Sequence, residues 1–201
     1  MTKNIKRASR TAAAASLMAL ALTGAGHAQA QAQPAGQLFL GGGLGVANQA
    51  LQCAANAPCE TTRAGIKLMG GMHINADWSA ELSYLRPASA FTASSTNGVQ
   101  TWSGSYRVQA LGASAGYRFE AGGLQWQARA GVARVQARFD SVTAGVPGSN
   151  SASFQPLLGV GLRYALSPGL ALRVDADLTR SKTYAAAGRF SLLTAALEQS
   201  F

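Results

Sequence analysis

The sequence predicts an all-β fold: an eight-stranded antiparallel up-and-down transmembrane β-barrel preceded by a cleavable signal peptide. Three observations carry this reading. After residue 30, apolar and polar residues alternate with period two in eight segments of about ten residues, the length a tilted strand needs to cross a bilayer. The connections alternate between tight turns and long polar loops. Charged residues make up only 12% of the 201, about half the fraction of an ordinary soluble domain. With 48% of residues apolar, the chain is not of a disordered composition.

Residues 1–30 read as the signal peptide and residues 31–201 as one barrel domain. Lys3, Lys6, Arg7 and Arg10 form a basic head, and Ala12 to Leu22 is apolar but too short to span a bilayer. Ala28-Gln29-Ala30 fits a small-residue cleavage site. Cleavage there removes four of the 17 cations and no acid, leaving 13 against 8, a net charge of +5 instead of +9. Much of the basicity is therefore an export signal, and nucleic acid is not an expected partner.

The segments follow in order. The first sets Leu38, Leu40, Leu44 and Val46 against Gln37, Phe39 and glycines. The second sets Ile66, Leu68 and Met72 against Lys67, Met69 and His73, and the third sets Trp78, Leu82 and Tyr84 against Ser79, Glu81 and Ser83. Leu111, Ala113, Tyr117 and Phe119 alternate with Gly112, Ser114 and Arg118; Trp126, Ala128 and Val132 alternate with Gln127 and Arg129. Leu158, Val160 and Tyr164 alternate with Gly159, Gly161 and Arg163; Leu172, Val174 and Leu178 alternate with Arg173, Asp175 and Asp177. Leu193, Leu197 and Phe201 close the series against Thr194 and Glu198. Tight turns are expected at Asn75–Asp77, Glu120–Gly123 and Ser167–Gly169. Long loops are expected at Asn48–Thr62, Pro87–Thr101, Asp140–Ser153 and Ser181–Gly188.

Charge placement sets the faces. A cation facing lipid at mid-membrane costs about 2–4 kcal/mol, so Lys67, Arg129, Arg163 and Arg173 must point inward. That turns the apolar set outward. A soluble β-sandwich or closed soluble barrel would alternate too. The sparse charge favours the membrane form, as does a band of outward aromatics (Trp78, Tyr117, Phe119, Trp126, Tyr164 and Phe201) beside the short turns and the C-terminus.

Several segments resemble the OmpA-like outer-membrane β-barrel family: Thr61–Tyr84, which is similar to its second and third strands, Gln125–Arg134 and Phe154–Asp175. The resemblance covers essentially the whole chain after the signal segment. It implies the bacterial outer membrane as the location. The final Phe201 is similar to the terminal aromatic read by the barrel-assembly machinery, whereas Gln199 departs from the apolar or aromatic residue usual there. The resemblance is to the barrel domain only, without the peptidoglycan-binding domain of longer relatives, so wall anchoring is not expected.

An eight-stranded barrel is narrow enough to be filled by its own side chains. The inward set includes Lys67, Arg118, Arg129, Arg163 and Arg173 against Glu81, Asp175, Asp177 and Glu198. Buried charges must pair, so a salt-bridged plug is expected. Six further cations take outward parity toward the long-loop ends: Arg86, Arg107, Arg134, Arg138, Arg180 and Arg189. Guanidinium binds phosphate bidentately, so these form a candidate belt for lipopolysaccharide. Cys53 and Cys59 form a candidate loop disulfide, a short ring whose closure is worth only about 2 kcal/mol.

The chemistry of catalysis is not visible. The chain beyond residue 30 holds one histidine, His73, on inward parity near a short turn, and no nucleophile is spaced to use it. Gly41-Gly-Gly-Leu-Gly45 lies inside a strand and opens no helix, so it is no dinucleotide loop; its glycines are expected to accommodate packed interior side chains or strand curvature. One histidine and two cysteines do not complete a zinc site, and no cofactor is expected. The function read from the sequence is a plugged, non-enzymatic barrel with a structural and surface-interaction role. Its expected partners are outer-membrane lipid, lipopolysaccharide and, through four loops, host or envelope proteins. The alternative is a narrow pore for ions or small solutes; a lipid A-modifying enzyme ranks below both.

Overall fold

The computed structural model describes residues 35–50, 60–96, 101–121, 124–143, 145, 147–182 and 187–201. Residues 1–30, read above as a signal peptide, and the Cys53/Cys59 pair lie outside the described residues. Nine strands form: β1 (Gln37–Gln49), β2 (Thr62–His73), β3 (Trp78–Pro87), β4 (Phe91–Thr96), β5 (Thr101–Ala121), β6 (Leu124–Ser141), β7 (Ser149–Ser167), β8 (Leu170–Lys182) and β9 (Ala187–Ser200). β3 and β4 both pair with β5, so they are two pieces of one wall strand. Every pairing is antiparallel, and β1 closes on β9 from Phe39 opposite Ser200 to Gln49 opposite Phe190. The result is a closed barrel of eight wall strands.

Period two alternation gives each wall strand one apolar and one polar face. Along the lower part of each strand the outer wall is apolar and the inner wall polar. Leu38, Leu40 and Leu44 on β1, and Leu193 and Leu197 on β9, face outward and are exposed, while Lys67, Ser79, Arg129 and Asp175 are buried inside. The short turns are tied locally. Asn75 Oδ1 accepts the N–H groups of Asp77 and Trp78 at 2.9 and 2.8 Å. Gly169, with φ of 82°, occupies the left-handed conformation that the β7–β8 turn requires. The expected aromatic band lies at this end. Trp78 packs on Tyr117 at 5.2 Å between ring centroids, and Tyr117 on Phe119 at 6.5 Å.

The strands rise well beyond the expected segments. The loop expected at Pro87–Thr101 contains β4, and the one expected at Asp140–Ser153 shrinks to the residues between Ser141 and Ser149. At Ser181–Gly188 the strands run on to Lys182 and resume at Ala187. In this upper region the alternation persists but its polarity inverts. Phe91, Tyr106, Val108, Val135, Phe139, Phe190 and Leu192 point inward and form one buried apolar cluster. Arg107, Arg134, Arg138, Arg180 and Arg189 point outward. The barrel interior therefore has two layers, ionic near the chain termini and aromatic above. Burying each large apolar side chain contributes roughly 1.5–3 kcal/mol, so the upper layer is a folding core in its own right.

The inversion marks a level on the outer wall. On β6 the outward series runs Trp126, Ala128, Ala130, Val132 and then Arg134. From Trp126 to Arg134 the rise is about 20 Å along the axis, taking about 3.3 Å per residue and a tilt of about 40°. That is close to the apolar band of about 25 Å that a membrane barrel presents.

Candidate functional site: the ionic plug and the arginine wall

The ionic layer draws side chains from β2, β3, β6, β7, β8 and β9. Its centre is Asp175 on β8. Lys67 Nζ donates to its Oδ2 at 3.0 Å, and Arg129 Nη1 and Arg173 Nη2 donate to its Oδ1 at 2.8 and 3.2 Å. Asp177 accepts from Lys67 and from Arg129 Nη2, both at 2.8 Å. Glu81 accepts from Arg173 at 3.0 Å and lies 3.6 Å from both Lys67 and Arg129. Glu198 accepts from Arg173 Nη1 at 2.7 Å and from Arg163 Nε at 3.0 Å. Four cations thus meet four carboxylates. Removing these groups from water costs several kcal/mol each, and only such multiple pairing offsets it. The network braces opposite walls of the barrel and fills the lumen between them.

Arg118, grouped with these residues on sequence, is buried nearer the short-turn end, where its Nη2 donates to the Asn75 carbonyl at 2.8 Å. Room for the network comes from β7. A Cβ on Gly159 would lie 2.8 Å from Asp177 Oδ1 and 2.9 Å from Arg129 Nη2. Glycine at that position is thus a packing requirement of the plug. On β1, a Cβ on Gly43 would meet that of Ala196 at 2.6 Å across the closing seam.

His73 stacks on Phe39 at 4.7 Å between ring centroids, and its Nε2 stands 3.9 Å from Glu198 Oε1. Ser79 lies directly opposite it across β2 and β3. The three do not form a nucleophile–base relay. Ser79 Oγ accepts from Gln127 Nε2 at 2.8 Å, neither ring nitrogen of His73 has a hydrogen-bond partner among the described residues, and Glu198 is held by two arginines.

All six outward arginines are exposed on the barrel's outer face. Arg86, Arg180 and Arg189 lie within two residues of a strand end, whereas β6 extends seven residues beyond Arg134. Together the six form an arginine wall. Arg107 stands directly opposite Arg138, and Arg180 directly opposite Arg189. Asp140 lies 2.8 Å from Arg138 and 3.6 Å from Arg107. Phe201, 69% exposed, donates its N–H to the Leu38 carbonyl at 2.9 Å and so joins the closing seam.

Sequence reasoning missed the aromatic layer and the break between β3 and β4. Phe139 and Tyr106 carried a usable signal, since each begins an inward apolar series with outward arginines between its members. Pro87 was the signal for the break.

Comparison with known proteins agrees with this architecture. Neisserial surface protein A is similar in structure with a TM-score of 0.58 and 18% identity, over 82% of this chain and 97% of that one. OprG of Pseudomonas aeruginosa gives 0.64 at 12% identity, over 85% and 98%. Ail, the attachment invasion locus protein of Yersinia pestis, gives 0.50 at 16% identity, over 82% and 99%. At these identities the likeness concerns the fold. No curated protein matches the chain. The model of the outer membrane protein beta-barrel domain matches residues 18–196, and with an apolar outer band, a polar filled lumen and closed antiparallel walls, the chain belongs to that family and resides in the bacterial outer membrane.

Proposed function

We propose that this protein is a plugged barrel with a structural and surface-interaction role, held among lipopolysaccharide molecules by its arginine wall and meeting other partners through its loops. One observation carries the reading. Six outward arginines lie where the apolar outer wall gives way, and two pairs of them stand directly opposite each other across adjacent strands. Like charges in that position are destabilising unless an anion shares them; Asp140 alone serves Arg107 and Arg138, and among the described residues no carboxylate pairs with Arg180 or Arg189. Lipopolysaccharide phosphates lie at this level of the outer leaflet, and guanidinium forks suit them. The names of two structural neighbours, a surface protein and an attachment protein, favour a surface role over a transport role. A non-catalytic role is favoured by the Gln127 donor on Ser79 Oγ and by His73, whose ring nitrogens have no hydrogen-bond partner among the described residues.

The test is lipopolysaccharide retention by the purified folded barrel. Replacing Arg107, Arg138, Arg180 and Arg189 by Gln is expected to lower the copurified lipopolysaccharide by about tenfold, a loss equivalent to one or two charge-assisted bonds. Equal retention by variant and parent, with both shown folded by their heat-dependent gel shift, sinks the proposal.

A further inference from the structure

The break in the β3–β4 wall opens a hollow on the outer face of the barrel. Pairing with β5 stops at Leu85 opposite Ala110 and resumes at Phe91 opposite Tyr106. Residues 86–90 therefore span only residues 107–109, and the surplus bows the wall. The bow is held firmly on its other side. Ala88 N–H donates to the Ala64 carbonyl at 2.8 Å, and Arg63 Nε donates to the Ala90 carbonyl at 3.0 Å. Leu85, Phe91 and Tyr106 close it from within, each buried in the upper core. The hollow thus opens outward and not into the lumen.

It measures about 510 Å³ and is lined by Arg86, Arg107, Arg138, Gln109 and Gln136 among others. A water occupies about 30 Å³ in the liquid, so a phosphoryl group with a sugar or glycerol attached fits. The lining is rich in donors. Tyr84 donates to Gln109 Oε1, and Gln109 Nε2 donates to Gln136 Oε1. That chain engages both amide oxygens and leaves the Gln136 –NH₂ as a donor. The counter-charge is a single carboxylate, Asp140, shared by Arg107 and Arg138. Among the described residues no carboxylate lies within 4.0 Å of Arg86, so three guanidiniums face one acid. Directly below on the outer wall stand Leu82 and Leu111, 63% and 59% exposed.

We infer that this hollow is a phosphomonoester-binding site, formed by Arg86, Arg107 and Arg138 with Gln136, for the headgroup of an outer-leaflet lipid whose acyl chains run down over Leu82 and Leu111. The inference rests on the reading that the arginine wall faces anionic headgroups, but it concentrates the binding in one place. A phosphomonoester matches the site because it presents several acceptor oxygens and nearly two negative charges to donors that come from three strands.

The experiment compares two triple variants of the folded barrel in zwitterionic micelles. One carries R86Q, R107Q and R138Q; the other carries R134Q, R180Q and R189Q, which lie outside the hollow. The probes are dioleoyl phosphatidic acid, dioleoyl phosphatidylcholine and inorganic phosphate, read by native mass spectrometry and titration calorimetry. The expected result is one phosphatidic acid bound per barrel, no saturable binding of phosphatidylcholine, and affinity lost by about tenfold or more in the first variant alone. Saturable inorganic phosphate binding of equal strength, lost in the same variant, supports the site with a soluble ligand and overturns the lipid source. Equal losses in both variants overturn the hollow while keeping a diffuse belt. No loss in either overturns both. Should the first variant fail to fold, R86K/R107K/R138K keeps the charge and removes the fork, and undiminished binding there counts against the site.

Discussion

Substitution of Asp175 by Asn isolates the contribution of the ionic plug. The side chain keeps its shape, and the network loses one of its four anions while its four cations remain. Three charge-assisted hydrogen bonds end at Asp175, from Lys67, Arg129 and Arg173. Such bonds contribute about 1.5–3 kcal/mol each, so outright loss of all three would be comparable to the whole stability of a marginal domain. The neighbours limit the damage. Lys67 and Arg129 keep Asp177 at 2.8 Å, and Arg173 keeps Glu81 and Glu198 at 3.0 and 2.7 Å. No cation is orphaned, and the expected cost falls to about 3 kcal/mol, the lower end for breaking a buried ion pair. Urea unfolding of vesicle-embedded protein, followed by tryptophan fluorescence, measures it. Adding Lys67→Met restores the charge balance, so the double variant is expected to be more stable than Asp175→Asn by about 1 kcal/mol or more. A single variant within about 0.5 kcal/mol of the parent, or strict additivity of the pair, would refute the account of the plug as a coupled network.

Two further outcomes follow from the same interior. Gly159→Ala places a methyl group against Asp177 and Arg129, both of which are the flexible ends of side chains and yield in part. The expected loss is about 1 kcal/mol, the low end for overpacking, even though Ala suits a strand better than Gly; an unchanged urea midpoint counts against the tight fit of β7 on the network. In planar bilayers the inserted barrel is expected to be electrically silent, and Phe139→Ala with Phe190→Ala to remain so, because the ionic layer below still fills the lumen. Stable ion-selective steps in the parent protein would favour the pore reading over the plugged one.

The wall strands were legible in outline because a bilayer imposes a rule that each strand obeys separately. An outward cation at mid-membrane is too costly, so the parity of Lys67, Arg129, Arg163 and Arg173 orients every neighbour on the same strand. The same rule turned Glu81, Asp175, Asp177 and Glu198 inward, and it left Arg86, Arg107, Arg134, Arg138, Arg180 and Arg189 for the outer wall. Above the apolar band the outer wall is polar and the rule reverses. There Phe91, Tyr106, Phe139 and Phe190 go inward and the arginines outward, so a stretch that resembled loop was strand. Pairing within the plug could not be read along the chain either. Lys67 meets Asp177 across 110 residues of sequence, a meeting set by the stagger of the closed barrel. The outer hollow depends on a comparison between strands: residues 86–90 are too many for residues 107–109, and that surplus exists only once β3, β4 and β5 are side by side. Local alternation is a property of one strand and its solvent, whereas sites made by closure belong to all the strands at once.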